Sequence, residues 1–307
     1  MKVTVLFGGP SAEREVSLVS GRSVIEGLKT AGHEVFPSDV SPTDLSGLQR
    51  PTDVIFPVLH GSFGESGELQ EILEQRGLTF VGSGSIASRT GMNKDRSKRM
   101  WQRAGLPTAP HEVIGAPTDI SAAVGRIGTP CVVKPVDSGS SIDVFICRSA
   151  PDAAKACEQV FARHAAVMVE KFLKGIELTI GMLEERILPP LRISTSREFF
   201  DYQAKYVGNS ATHHFDLNLP ADVVTKVKQI ALQANQTVGC RDLSRLDVIV
   251  DEQHRPWILE VNTIPGFTPK SLLPEMAAHD GIPFPKLVDR LVCRAFQRGS
   301  ANKRAAV

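Results

Sequence analysis

The sequence predicts a multidomain chain of α/β and α+β class, and three stretches carry that prediction. Residues 2–7 are an apolar, strand-like run; Gly8-Gly9-Pro10-Ser11 breaks it, and an amphipathic helix and a second strand at 33–36 follow. That β-α-β order requires a parallel sheet. The centre of the chain alternates short strands and helices. Toward the C-terminus, apolar runs at 245–250 and 257–262 flank the polar turn 251–254 and form a hairpin. Side chains alternate along a strand, so Glu260 and Asn262 share one face, Val261 takes the other, and Asp247 on the partner strand joins the first. Three oxygen ligands beside Arg245 suit Mg²⁺ holding phosphates. The lesser reading of this stretch is a solvated hairpin with ordinary surface charges.

A length of 307 residues suggests two or three domains. Apolar content of 42%, charged content of 22% and a net charge of +1 fit a globular enzyme. They give no support to nucleic-acid or membrane-surface binding through bulk charge. The five cysteines have no CxxC pairing and lie mostly in apolar runs, as buried free thiols of a reducing compartment do. The opening run is too short for a signal peptide or a membrane span, and no longer apolar stretch follows.

In chain order, the first helix carries Leu18, Ile25 and Leu28 on one face and ends at Gly32. The Gly8-Gly9 turn before it can hold an anion but lacks GxGxxG spacing. A strand at 53–59 ends on His60-Gly61-Ser62-Phe63-Gly64-Glu65, the end of an open sheet where ligands bind. A helix at 69–77 and a strand at 78–81 close the first unit. A basic helix runs from Met92 to Ala104, and a strand at 130–135 brings Lys134 to the end of an apolar run. The small, hydroxyl-rich loop from Asp137 to Ser141 can cap phosphates with its N–H groups, or serve as a plain turn. A helix near 153–164 and a strand at 167–173 follow. The polar stretch 198–220 is long enough to be a lid, and His213-His214 within it reads as ordinary loop. Helices at 224–238 and 285–298 enclose the hairpin and the proline-pinned loop 263–272.

Six motifs, in order, resemble the D-alanine–D-alanine ligases, which are ATP-grasp enzymes of peptidoglycan precursor synthesis and cell-wall formation. They are residues 8–17 (GGPSAEREVS), His60-Gly61 with Gly64-Glu65, Gly139 to Ser141, Tyr202 with Lys205-Tyr206, Arg245 with Asp247, and Glu260 to Gly266. The resemblance extends over residues 3–295. It implies an ATP-grasp fold with an N-terminal Rossmann-like domain (1–91), a central domain (92–178) and a C-terminal domain (179–307) carrying lid, metal site and oxyanion site.

By the same resemblance, Lys94 and Lys134 contact the nucleotide phosphates, with Ser141 on the loop above them. Glu170, Lys171 and Leu173 line the adenine pocket, and Glu177 meets the ribose. Lys205 reaches the γ-phosphate. Asp247, Glu260 and Asn262 hold two Mg²⁺, for which Mn²⁺ can substitute. Glu13 grips the ammonium of the first D-alanine and, with Ser140 and Tyr206, ties the lid loops shut; His60 lies near that substrate. Arg245 and the N–H of Gly266 stabilise the oxyanion, and Ser271 and Leu272 receive the second carboxylate. The implied partners are ATP and two D-alanines, in a cytoplasmic homodimer. Tyr206 stands where ligases that use D-lactate lack a tyrosine, which points to D-alanine as second substrate. Four positions depart from the family pattern: Asp143 and Asp242 replace glycines, Ser66 an aspartate and Lys270 a histidine. Another ATP-grasp ligase, or a silent nucleotide-binding relative, is the alternative reading.

Overall fold

The computed structural model describes residues 1–139, 142–195 and 211–305. Strands β1 (Lys2–Gly8), β2 (Glu34–Val40) and β3 (Val54–Pro57) form a parallel sheet of order β2-β1-β3. Val3, Val5 and Leu6 of the central strand are fully buried, as a continuous apolar run in a doubly covered parallel sheet must be. Helix α1 (Arg14–Thr30) connects β1 to β2. It ends with Gly32 at φ +84° and with His33 N–H donating to the Leu28 carbonyl at 3.0 Å, a left-handed closure that favours glycine.

After α2 (Glu68–Gln75), the strand expected at 78–81 is reduced to one bridge, Phe80 against Ile55. Gly77 and Gly82, both at positive φ, turn the chain on either side and leave no length for a ladder. The basic helix expected from Met92 is also different. Helix α3 (Ser85–Met92) precedes it, and α4 (Lys94–Arg103) starts anew where Asn93 turns extended and accepts Arg96 N–H on its side chain at 2.9 Å. Helix α3 is rich in small polar residues, so its sequence carries little apolar period. Trp101 of α4 is fully buried.

The second sheet is antiparallel, of order β4-β7-β5-β6: β4 (His111–Ile114), β5 (Cys131–Pro135), β6 (Phe145–Cys147) and β7 (Val167–Lys171). Helices α5 (Ile120–Ile127) and α6 (Ala150–Phe161) bury Val133, Val160 and Val169 against it. Cys131, Cys147 and Cys157 lie in this core as free thiols, and burial pushes Cys147 up to about 12 and Cys157 to about 11.

The third sheet has the order β11-β10-β8-β12-β13, with β9 on β8. Its strands are β8 (Gly175–Leu183), β9 (Arg186–Ile187), β10 (Leu191–Thr195), β11 (Ala211–His214), β12 (Leu243–Asp251) and β13 (Pro256–Asn262). The tail of the expected lid stretch is therefore partly strand, while residues 196–210 lie outside the described residues. His213, expected as an ordinary loop residue, lies in β11 and meets Glu275 at 2.7 Å. Helices α7 (Ala221–Val238), α8 (Leu272–His279) and α9 (Phe284–Ala305) complete the chain. Leu287, Val288, Leu291, Val292 and Ala295 of α9 are fully buried in one core with Val3, Val24 and Leu28.

That packing is pinned by Asp242, a buried carboxylate. It accepts Gly82 N–H at 2.8 Å and pairs with both Arg298 amino groups, one of which also donates to the Phe80 carbonyl at 2.8 Å. Removing one partner of a buried pair strands the other. Arg298→Ala is expected to cost about 2 to 3 kcal/mol, read as a lower urea midpoint. Arg294→Ala, which breaks an exposed contact to Glu185, should leave the midpoint unmoved.

Candidate active site

The site begins with the pairing of β12 and β13. Asp247 stands directly opposite Glu260 and Arg245 opposite Asn262, and the register shifts immediately afterwards, so that Val248 faces Ile258. Directly opposed residues share a face, so all four functional side chains point the same way. On the other side of β12, β8 sets Thr179 opposite Asp247 and Glu177 opposite Ile249, adding them to that face. Arg245 grips Asp247 with two donors at 3.1 and 2.9 Å, and the Thr179 hydroxyl donates to the same carboxylate at 2.7 Å. The Asn262 side-chain oxygen accepts Ile264 N–H at 2.9 Å.

This face looks across a cleft toward the second sheet. One part of the lining is apolar, with Val132, Ile146, Phe172, Leu173 and Leu259; the other gathers Lys94, Lys134, Glu170, Asp247 and Glu260. Lys171 and Glu177 also line it. An apolar slot leading to cations and carboxylates fits a flat ring carrying an anionic, metal-bearing chain. Lys94 donates to the Ser138 carbonyl and lies 3.5 Å from Glu260. Lys134 meets Glu170 at 2.6 Å, and Lys98 contacts the second oxygen of the same carboxylate. Burial pushes the Glu170 carboxyl up, but Lys134 and Lys98 outweigh it and hold the group at about 2. Glu170 therefore stays ionised across the physiological range. Because its folded value is depressed, the stability it contributes is lost only as pH falls from the ordinary carboxylate range toward about 2.

A second cluster gathers where β1 and β3 end. Glu13, just before α1, is buried, and its carboxylate lies against Gly61 and Gly139. His60 is buried too, 3.4 Å from Ser20 Oγ and 3.8 Å from Glu65. Ser20 also accepts Phe267 N–H at 3.3 Å, which ties the loop carrying Gly266 to His60. Ser271 precedes α8, receives Thr268 N–H at 3.0 Å and sits beside Gly266; Leu272 is the first residue of that helix. Ser140, Ser141, Lys205 and Tyr206 lie outside the described residues. The sequence reading missed Lys98 and Thr179. Only the spacing of Lys98, one turn after Lys94 on the same helix, hinted at the first.

Models of the D-Ala-D-Ala ligase N-terminus and C-terminus match residues 2–45, 40–83 and 100–293. The chain is 41% identical over 300 residues to a D-alanine–D-alanine ligase of Gloeobacter violaceus, covering 96% of this chain and 99% of the relative. The chain belongs to the D-alanine–D-alanine ligase family. A crystal structure of the Bacillus anthracis ligase superposes with a TM-score of 0.88 at 31% identity, covering 98% of this chain and 99% of that one. The structure of that ligase complexed with ATP gives 0.86 at 28% identity, with the same coverage. The fold is thus the ATP-grasp fold of these ligases with an N-terminal parallel sheet, and the activity is ATP-dependent ligation of D-alanine to D-alanine for peptidoglycan synthesis.

Two departures from the family pattern have a physical reading. Asp143 and Asp242 have φ of +59° and +62°, the left-handed region that favours glycine and that aspartate tolerates better than most residues. Both carboxylates are turned to cations: Asp143 meets Arg163 at 2.6 Å and His164 at 2.9 Å, away from the cleft lining. Asp143→Asn should lower stability by about 1 kcal/mol while leaving the KM for ATP and its salt dependence unchanged. Tighter ATP binding at low salt in the variant would contradict this orientation.

Proposed function

We propose that ATP occupies the cleft between the second and third sheets, with adenine in the slot lined by Glu170, Lys171 and Leu173. The ribose meets Glu177, and the phosphates meet Lys94 and Lys134, with Ser141 and Lys205 closing from the loops. The observation that carries this reading is the β12–β13 register, which aims Arg245, Asp247, Glu260 and Asn262 at a lysine-lined cleft. A member of the family has been solved in complex with ATP, which is in keeping with a nucleotide seat in this fold.

The donor set fits a hard cation: two carboxylates and an amide oxygen on one face, all oxygen ligands. Asp247, Glu260 and Asn262 would hold two Mg²⁺ (or Mn²⁺), which would supply charge neutralisation for the triphosphate. The carboxylate of the first D-alanine, its ammonium held by Glu13 near His60, attacks the γ-phosphorus and displaces ADP. The product, D-alanyl phosphate, is then attacked at its acyl carbon by the amine of the second D-alanine. Arg245, its plane fixed by Asp247, and the Gly266 N–H stabilise the tetrahedral oxyanion. Phosphate leaves as the dipeptide forms. Ser271 and Leu272, at the N-terminus of α8, hold the second carboxylate, where backbone N–H groups favour an anion. Ser140, Tyr206 and Glu13 hold the loops shut, because an acyl phosphate open to water would hydrolyse.

The same reading divides the chain at 1–91, 92–178 and 179–307 and makes it a cytoplasmic homodimer. Among the described residues no helix is long and apolar enough to cross a membrane.

Glu260→Ala should lower turnover at least about 100-fold at saturating Mg²⁺, measured as ADP release with D-alanine. Wild-type turnover in that variant would refute the metal assignment. Ser271→Ala should raise the KM for the second D-alanine about tenfold and leave the first within about twofold. Dipeptide should also far exceed depsipeptide when D-alanine and D-lactate compete at neutral pH; efficient use of D-lactate would overturn the choice of second substrate.

A further inference from the structure

Behind the cleft, and not part of its lining, lies the buried cation of Lys98. Lys98 is fully buried on α4, one turn beyond Lys94. Its ammonium contacts Glu170 and donates to Thr108 Oγ1 at 2.7 Å, and Thr108 in turn donates to the Ile258 carbonyl of β13 at 2.8 Å. Glu170 is itself 2% exposed and splits its oxygens between Lys98 and Lys134. Lys134, unlike Lys98, lines the cleft.

We propose that Lys98 is a positioning residue for the nucleotide: by neutralising Glu170 from behind, it leaves the positive charge of Lys134 available to the phosphates. The inference rests on the cleft being the ATP seat. The charge arithmetic is direct. Lys98, Glu170 and Lys134 sum to +1, and the positive end faces the cleft. Without Lys98 the sum is zero, and Lys134 is consumed by Glu170. A buried ammonium is costly, because desolvation disfavours its charge, and burial does lower the Lys98 pKa against the pull of Glu170. A methionine of similar length would fill the same volume without that cost. Core packing therefore gives no reason for a lysine here, whereas a phosphate site does. Thr108 adds a geometric role. Through the Ile258 carbonyl it links the ammonium to the strand that carries Glu260, so the nucleotide cation and the metal ligand are held in one frame.

The test compares ATP with adenosine, which shares the ring and ribose but has no phosphates. Their Kd values are measured by calorimetry on the full-length protein, with adenosine also tested as a competitor of ATP. Lys98→Met should weaken ATP about tenfold or more, more strongly at low salt, and leave adenosine within about twofold. The double variant Lys98→Met/Glu170→Gln again carries +1 through Lys134 alone. It should recover the wild-type ratio of ATP to adenosine affinity, and it keeps the test open should the single variant fold poorly. Equal weakening of both ligands or an unchanged ratio in Lys98→Met, or a ratio in the double variant that stays below that of the wild type, would overturn the proposal and leave Lys98 a structural brace. Failure of wild-type adenosine to compete with ATP would instead refute the seat itself.

Discussion

Everything at this site depends on a pairing that a sheet would ordinarily avoid. Asp247 and Glu260 stand directly opposite one another on adjacent strands, where like charges destabilise. Around them are Arg245 and Thr179 on Asp247, and Lys94 within 3.5 Å of Glu260. Behind these, Lys134, Glu170 and Lys98 form a buried ion network whose desolvation cost hydrophobic packing could have avoided. A chain built only for stability would keep neither arrangement. Both make sense where a cation-bearing polyanion binds.

The fold supplies the frame. The third sheet is antiparallel, so its faces are set residue by residue, and the register of β8, β12 and β13 brings Glu177, Thr179, Asp247 and Glu260 together. The second sheet presents Lys134 and Glu170 across the cleft. The parallel sheet offers the C-terminal ends of β1 and β3, where Glu13 lies against Gly61 and His60 meets the loop of Gly266 through Ser20. Helix α9 fastens the first core to residues of the third, and Asp242 with Arg298 locks that join. Reactive groups from distant parts of the sequence are thus held by packing that is rigid at its base.

Much of this was legible in the amino acids. The β-α-β opening followed from a continuous apolar run, a glycine break and a helical apolar face, and the hairpin with the shared face of Asp247 and Glu260 from strand alternation about a polar turn. Helix α3 was not legible, because Ser85 to Met92 lacks an apolar stripe, and Asn93 hid a cap inside a basic run. The strand expected at 78–81 lost to the flanking glycines Gly77 and Gly82. Lys98 escaped because a lysine on a basic helix reads as solvated; only the approach of Glu170, seventy-two residues later, makes it a buried ion. Asp143 and Asp242 were recognised as departures from glycine, but their left-handed backbone and arginine partners exist only in three dimensions.

The central claim is that the Asp247–Glu260 face binds metal together with nucleotide phosphates. Electron paramagnetic resonance of free Mn²⁺ measures this without turnover. Titrated into the protein with ADP, Mn²⁺ should be held tightly, and weakly without nucleotide. Asp247→Asn should abolish the nucleotide-dependent component, because it removes a charged ligand and frees Arg245 to face the metal. Undiminished, nucleotide-dependent Mn²⁺ binding in that variant would contradict the account.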